Sequence, residues 1–189
     1  MVAVHTLEVY PTVEELNEAV GRAFLARLST LIDEAGAGSR VNLAISGGAI
    51  TTSLLPSLLP FVGDVDWSCV RVWLVDERYV PASDEERNDD QAWEGFFHAA
   101  AGVEFVRMPS SDASAAGGGS LDEATAAFAA TWRELMGEHS FDIALIGMGP
   151  DGHICSLFPG RVDMDEASPI LAIRNSPKPP PERITVSMP

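Results

Sequence analysis

The chain contains 189 residues, of which 46% are hydrophobic, and carries a formal net charge of -16 at pH 7. This length and hydrophobic content predict one domain over residues 1–189 with a single sizeable core. The negative charge repels polyphosphate backbones and anionic headgroups, so nucleic acid and membrane surfaces are excluded as main partners.

The sequence also bears on the cellular compartment. Residues 1–11 lack the basic and apolar regions of a signal peptide, and no window approaches the roughly 20 apolar residues of a membrane span. Cys69 and Cys155 form neither a CxxC pair nor a metal-ligand spacing, which favours reduced thiols. We therefore expect a cytoplasmic protein that is a monomer or a weak homo-oligomer.

Apolar runs alternate with helical patterns along the chain, which is typical of βαβ units. The predicted helices are residues 12–35, 52–59, 83–100 and 121–137, and the predicted strands are residues 41–46, 70–76, 103–108, 141–147, 170–175 and 183–188. Capping boxes at Thr12 and Ser120 mark the starts of the first and last helices, and residues 110–120 read as a low-complexity surface loop. This order predicts an α/β fold with a largely parallel sheet.

Ligands of such sheets bind outside the carboxyl ends of the strands, so polar residues at those ends are the candidates for a site. Ser46, Gly47 and Gly48 end one strand and precede a helix, where bare backbone N–H groups can receive a phosphate. A tight turn that needs glycine only for its backbone conformation explains the same pattern equally well.

Asp76 and Arg78 follow the next apolar strand. Side chains two residues apart share one face of an extended chain, so both can point into the same crevice. The arginine fork suits a phosphate or a carboxylate. A local ion pair that finishes the strand is the competing interpretation.

The sequence GMGPDGHICSLFPG, which begins at Gly147, follows the strand at residues 141–147. Glycines and a proline shape this loop around Gly149, Asp151 and His153, and a short helix is predicted to begin near Asp151. An imidazole can accept and release a proton near neutral pH, which makes His153 a candidate acid or base. A histidine that only satisfies helix-end hydrogen bonds is the alternative. In a helix Cys155 would not face His153, so we interpret its thiol as packed.

The sequence NSPKPPPERITVS holds Lys178 and Arg183 beside a rigid proline run. Cations are scarce in this chain, which favours a role for these two in binding an anionic ligand. A plain surface loop is the competing interpretation.

These motifs together (SGG, VDERYVP, the DGH loop and NSPKPPPERIT), in this order and spacing, resemble the 6-phosphogluconolactonase family over almost the whole chain. The resemblance implies a Rossmann-like α/β fold, with a largely parallel sheet and helices on both faces. It also implies hydrolysis of 6-phospho-D-glucono-1,5-lactone to 6-phospho-D-gluconate in the oxidative pentose phosphate pathway, without a metal or another cofactor. The expected partner is therefore a small sugar phosphate.

The resemblance also implies roles for residues. His153 is implied as the general base that activates water, with Asp151 and Gly149 shaping its loop. Arg78, Lys178 and Arg183 are implied to hold the phosphate or the developing negative charge, together with the turn at residues 46–48. Asp76 is implied to position Arg78 or to bind a sugar hydroxyl.

Two departures from the family pattern stand out. Many relatives read SGGSTP where this chain has Ala49 and Ile50 after the glycines, so Thr51 or Thr52 would have to supply the missing hydroxyls. The family also continues beyond the point where this chain stops, so we expect a domain truncated at its C-terminus.

Two alternative functions are kept. The related sugar-phosphate isomerases and deaminases have a similar DGH segment, in which a glutamate stands five residues after the histidine. Here that position is Phe158, which cannot relay a proton. A sugar-phosphate-binding domain without catalysis is the second alternative, although no helix-turn-helix pattern accompanies it.

Overall fold

The computed structural model describes residues 6–36, 38–113, 119–161 and 168–187. The α-helices are α1 (Val13–Ala35), α2 (Leu55–Ser57), α3 (Asn88–Gly95) and α4 (Leu121–Met136). The strands are β1 (Val41–Ile45), β2 (Val70–Leu74), β3 (Asp76–Arg78), β4 (Glu104–Val106), β5 (Ile143–Leu145), β6 (Ile170–Ile173) and β7 (Arg183–Val186). A π-helical turn (Ile50–Leu54) and a 3-10 helix (Leu59–Asp64) flank α2.

The predicted helix starts at Thr12 and Ser120 are confirmed. The Thr12 hydroxyl accepts from the backbone N–H of Glu15 at 3.2 Å. At Ser120 the capping box is complete, because the Glu123 carboxylate also accepts from the Ser120 N–H at 2.8 Å. Such caps satisfy N–H groups that a helix start leaves unpaired, typically for about 1 kcal/mol each.

The strands form two sheets. The larger sheet is wholly parallel, with the order β4-β2-β1-β5, and the smaller one is antiparallel, with the order β3-β7-β6. The predicted parallel α/β fold is confirmed, but a second sheet was not foreseen. The predicted strand 70–76 ends at Leu74, and the chain enters the second sheet at Asp76.

Every residue of β1 is buried, which shows that both faces of the parallel sheet are covered at this strand. On one face Trp73 packs edge-to-face against Phe128 and Trp132 of α4, with ring centroids 6.2 and 5.2 Å apart. The Trp73 indole N–H donates to the Asn42 side chain at 3.1 Å, which satisfies both buried polar groups. Each fully buried side chain of this size contributes roughly 1.5–3 kcal/mol to folding.

Strand β5 lies at an edge of the parallel sheet. Within the described residues it pairs only with β1. Ala144 is exposed at the centre of the strand, and beyond its end Ile146 and Met148 are 43% and 75% exposed. Among the described residues, therefore, no strand pairs with the outer edge of β5, and apolar side chains are exposed in and just beyond this strand.

Several predicted elements differ in detail. Residues 83–87 form turns rather than helix, so the acidic helix starts only at Asn88, and the predicted helix 52–59 is a mixture of π, α and 3-10 turns. Residues 114–118 of the predicted loop and residue 188 of the last predicted strand lie outside the described residues. Every helix in the described ranges is too short or too polar to cross a membrane.

Candidate active site

A cavity of about 190 Å³ lies at the carboxyl ends of the parallel strands. It is lined by Ser46, Gly47, Gly48, Ala49, Asp76, Arg78, Asn88, Gly147, Met148, Gly149, His153, Cys155 and Arg183. Larger clefts lie elsewhere, among them two of about 640 Å³, one at the amino ends of β1 and β2 and one between α1 and the segment 57–64. We assign the site to the smaller cavity, because all three strand-end segments converge there.

The Gly47-Gly48 turn connects β1 to the π-helical turn. Gly48 has a left-handed φ of 67°, which favours glycine. A Cβ on Gly47 would lie 2.0 Å from Oδ1 of Asn88, so a close approach excludes any side chain there. The hydroxyls of Thr51 and Thr52 both donate to the Gly48 carbonyl, at 3.1 and 2.9 Å. They close the turn and do not present hydrogen-bond donors to the cavity.

Asp76 and Arg78 lie on strand β3, on the same side of the cavity. Asp76 is buried and accepts from the Ser156 hydroxyl at 2.6 Å. The Arg78 Nη1 group donates to the Glu86 carbonyl, whereas its buried Nε has no hydrogen-bond partner in the described part of the chain. A buried guanidinium N–H without an acceptor is costly, typically 1–3 kcal/mol, so this group is suited to an anion entering the cavity.

Arg183 lies directly opposite Arg78 in the register between β3 and β7. Its Nη1 is 3.9 Å from the Asp76 carboxylate, and its Nε and Nη2 groups donate to backbone carbonyls. Burial, with the nearby charge of Arg78, lowers the pKa of Arg183. Two like charges facing each other across strands are unfavourable unless a negative charge lies between or beside them.

Asp151 and His153 form a close pair beside the cavity. The Asp151 Oδ1 and His153 Nδ1 atoms are 2.6 Å apart, and the Lys178 ammonium lies 3.0 Å from the same oxygen. Hydrogen bonds from His153 and then Lys178 lower the pKa of Asp151 well below its usual range. The ionised carboxylate can only accept, so in a neutral imidazole this contact favours the proton on Nδ1 and the lone pair on Nε2. The Lys178 ammonium, 3.2 Å from Nδ1, can only donate and acts against this preference.

The His153 ring is confined on further sides. A Cβ on Gly149 would lie 2.1 Å from the Cε1 atom of His153, so the imidazole edge rests against a bare backbone. Phe158 stacks on the imidazole with ring centroids 4.8 Å apart and an interplanar angle of 29°. The predicted short helix near Asp151 is wrong: this segment forms turns with isolated bridges from Ile154 to Met148 and Leu157.

Cys155 lines the cavity but is 8% exposed, and burial raises the pKa of its thiol to about 12. The thiolate that a nucleophile requires is therefore disfavoured, in agreement with the predicted packed thiol. The described ranges contain no cluster of three or more His, Cys, Asp or Glu side chains that could hold a metal ion.

The structure thus brings the predicted residues to one cavity or its immediate border. Lys178 and Asp151 lie behind His153, on the side of its Nδ1. Sequence reasoning missed Asn88, which is 1% exposed although it lies in a strongly acidic segment. In the sequence, Phe158 was notable only because it replaces the glutamate of the related deaminases. Gly152 and Pro159, which flank this segment in the sequence, were the signal that the chain turns back and brings Phe158 to His153.

A parallel sheet flanked by helices, with a cavity at its carboxyl edge, defines the chain as an α/β protein. The model of the family "Glucosamine-6-phosphate isomerases/6-phosphogluconolactonase" matches residues 11–189, and the chain belongs to this family.

Named relatives agree with this assignment. The 6-phosphogluconolactonase of Mycobacterium leprae is 37% identical over 180 residues, covering 89% of this chain and 70% of that protein. The Mycobacterium tuberculosis enzyme of the same name is 33% identical over 195 residues, covering 97% and 75%. Among solved structures, the 6-phosphogluconolactonase from Shewanella baltica superposes with a TM-score of 0.74 at 26% identity, covering 94% of this chain and 72% of that one.

Proposed function

We propose that this chain hydrolyses 6-phospho-D-glucono-1,5-lactone to 6-phospho-D-gluconate in the oxidative pentose phosphate pathway. Family membership and the names of the relatives support the reaction. The observation that carries the mechanism is the 2.6 Å contact between Asp151 and Nδ1 of His153, because it leaves the other ring nitrogen free to accept a proton.

The proposed reaction begins when a water molecule gives a proton to Nε2 of His153. The resulting hydroxide oxygen forms a bond to the lactone carbonyl carbon, and the carbonyl electrons move onto its oxygen. When this oxyanion collapses, the bond between the carbonyl carbon and the ring oxygen breaks. The His153 imidazolium then returns its proton to the ring oxygen, which leaves the open-chain acid. Asp151 stabilises the imidazolium without taking its proton.

We assign the anionic group of the substrate, or the developing oxyanion, to the Arg78 side of the cavity. Arg78 supplies a free N–H, and the charge of Arg183 opposite adds to the positive potential. The bare backbone at Gly47 and Gly48 lies in the same lining and permits close approach of an oxygen. Ser46 supports this turn, since its hydroxyl accepts from the Gly147 N–H at 2.9 Å.

Asp76 and Lys178 are proposed to act indirectly. The Asp76 carboxylate is bonded to Ser156 and lies near Arg183, so it balances part of the arginine charge. The Lys178 ammonium bonds to Asp151, which favours a role in fixing that carboxylate rather than direct contact with the phosphate.

The charge of the protein supports a small substrate. A local pair of arginines offsets the net charge of -16 only over a short range, since charges are screened beyond about 10 Å in 0.1 M salt. A small sugar phosphate can reach that region, whereas a nucleic acid would meet the acidic surface. We also propose a cytoplasmic location and a monomer or weak homo-oligomer.

The test is the rate of 6-phosphogluconate formation from freshly prepared lactone, measured against spontaneous hydrolysis and in the presence of EDTA. We expect acceleration by the wild-type chain and a loss of at least about 100-fold in kcat for His153→Gln. His98→Gln is the matched control, because His98 is exposed and its one hydrogen bond among the described groups is to the Trp93 carbonyl. Unchanged turnover in His153→Gln would rule out the assignment of the base.

A further inference from the structure

We propose that Phe158 is a positioning residue for His153, and that Arg183 fixes Phe158 in turn. This inference rests on the proposed role of His153 as the base. Phe158 is 3% exposed, and its ring stacks on the imidazole at 4.8 Å. A buried ring against one face of a histidine prevents rotation of the imidazole out of its plane.

The position of Phe158 follows from a turn that the rest of the protein holds in place. Cys155 has a left-handed φ of 52°, and the Leu157 N–H donates to the Ile154 carbonyl at 2.9 Å. Between them Ser156 is fully buried, and its backbone N–H donates to the Thr185 hydroxyl at 3.2 Å. The Ser156 hydroxyl also binds Asp76. Thr185 and Asp76, the two partners of Ser156, both lie in the antiparallel sheet. These hydrogen bonds hold the turn in the one conformation that places Phe158 against His153.

Arg183 lies near the same aromatic ring. Its guanidinium carbon is 5.9 Å from the Phe158 ring centroid, within the range of a cation–π contact. The guanidinium itself is fixed, because it donates to the carbonyls of Lys178, Pro179 and Pro180 at 3.2, 2.9 and 3.2 Å. The residue that was predicted to bind phosphate therefore also links the proline loop to the ring that supports His153.

Together these contacts define the orientation of the imidazole. Asp151 holds Nδ1, Gly149 borders the edge at Cε1, and Phe158 covers one face. Without the Phe158 ring, the imidazole could turn about its χ2 bond and move Nε2 away from the water it activates. Such misplacement lowers the rate of the chemical step more than substrate binding.

The experiment compares Phe158→Leu, which removes the ring but keeps an apolar side chain, with Phe158→Tyr, which keeps a ring. We expect kcat to fall on the order of tenfold in Phe158→Leu with KM within about twofold, and Phe158→Tyr to retain most of the wild-type rate. Phe97→Leu is the matched control: Phe97 is 1% exposed but packs against Trp67 and Phe96 in the main core. It should lower thermal stability and leave kcat unchanged.

A second readout reports the geometry without catalysis. In ¹H–¹³C NMR spectra the Hε1 signal of His153, assigned by its loss in His153→Gln, should carry a ring-current shift from Phe158. This shift should disappear in Phe158→Leu and persist in Phe97→Leu.

An unchanged Hε1 position in Phe158→Leu, or an unchanged kcat despite a moved signal, would overturn the proposal. So would an equal loss of kcat in the tyrosine variant. A wild-type chain without lactonase activity would instead contradict the proposed function, and the NMR comparison would still decide whether Phe158 fixes the ring.

Discussion

Arg78 and Arg183 face each other across strands β3 and β7, as a directly registered pair of like charges at the border of the cavity. Their side chains differ in what they offer to a ligand. The Nε and Nη2 groups of Arg183 donate hydrogen bonds to the carbonyls of Pro180 and Pro179, while the Nε of Arg78 has no hydrogen-bond partner in the described ranges. Carboxylates of Glu86 and Asp76 lie 3.6 and 3.9 Å from Arg78 and Arg183, so what folding leaves available here is a guanidinium N–H without an acceptor.

Arg78→Gln should weaken binding of the phosphorylated lactone more than it slows turnover. Loss of a charge-assisted hydrogen bond corresponds to about 1.5–3 kcal/mol, or roughly a 10- to 100-fold increase in KM. The measurement compares KM for 6-phosphogluconolactone with KM for unphosphorylated glucono-1,5-lactone. Arg22→Gln on the exposed face of α1 is the control. An equal effect on both lactones would place Arg78 at the carbonyl rather than at the phosphate.

Asp151→Asn should lower kcat on the order of 100-fold or more while the protein stays folded, because an amide no longer selects the tautomer with the proton on Nδ1. The pKa of Asp151 is lowered, so the carboxylate remains ionised as pH falls through the mildly acidic range. A loss of activity between neutral pH and about pH 5 should therefore not arise from protonation of Asp151. The exposed Asp64→Asn variant serves as a control, and wild-type kcat in Asp151→Asn would contradict the tautomer assignment.

Gly149→Ala should reduce activity through steric displacement of His153. The added methyl group would lie 2.1 Å from Cε1 and 2.3 Å from Nδ1 of the imidazole, far inside van der Waals contact. We expect kcat to fall on the order of 100-fold, as for other displacements of about 1 Å in a catalytic group. Gly63→Ala is matched, since its Cβ would meet no atom within 4 Å. Similar rates for the two variants would show that His153 adapts freely.

Glu77 should make stability depend on pH. It is 1% exposed, and burial raises its pKa to about 7. Arg87 and the backbone N–H groups of Arg78, Asn88 and Asp89, each 2.8 Å from the carboxylate, oppose this rise. Between its ordinary pKa of 4.5 and about 7 the native state binds more protons than the unfolded state, so the free energy of unfolding falls as pH rises. The slope from this group is at most about 1.4 kcal/mol per pH unit.

Urea unfolding of wild type and Glu77→Gln at pH 5, 6 and 7 measures this contribution. The variant should have a flatter pH dependence than the wild type, whereas Glu94→Gln, at an exposed position of α3, should follow the wild type. Parallel curves for wild type and Glu77→Gln would show that the carboxylate is ionised throughout this range.

The parallel sheet and the convergence of three loops could be predicted because each depends on local patterns. Apolar runs fix the strands, and polar residues directly after them must meet at one edge of the sheet. Arg78 and His153, which both follow such strands in the sequence, line the cavity.

The partners of those residues could not be predicted in the same way. The sequence pattern predicts Asp76 as the last residue of the strand 70–76. In the structure it belongs to a second sheet, whose other strands lie about a hundred residues further along the chain. That long-range pairing decides that Arg183 faces Arg78 and that Ser156 binds Asp76. The burial of Asn88 depends likewise on Glu77, which accepts from its backbone N–H at 2.8 Å.

The outer edge of β5 affects how the protein behaves at high concentration. Among the described residues no strand pairs with the outer edge of β5, and a free strand edge is a template for strand addition between copies. The net charge of -16 opposes such contacts by mutual repulsion, and dissolved salt weakens that repulsion. Low ionic strength should therefore keep the chains dispersed, and concentrated salt should favour their association along this edge.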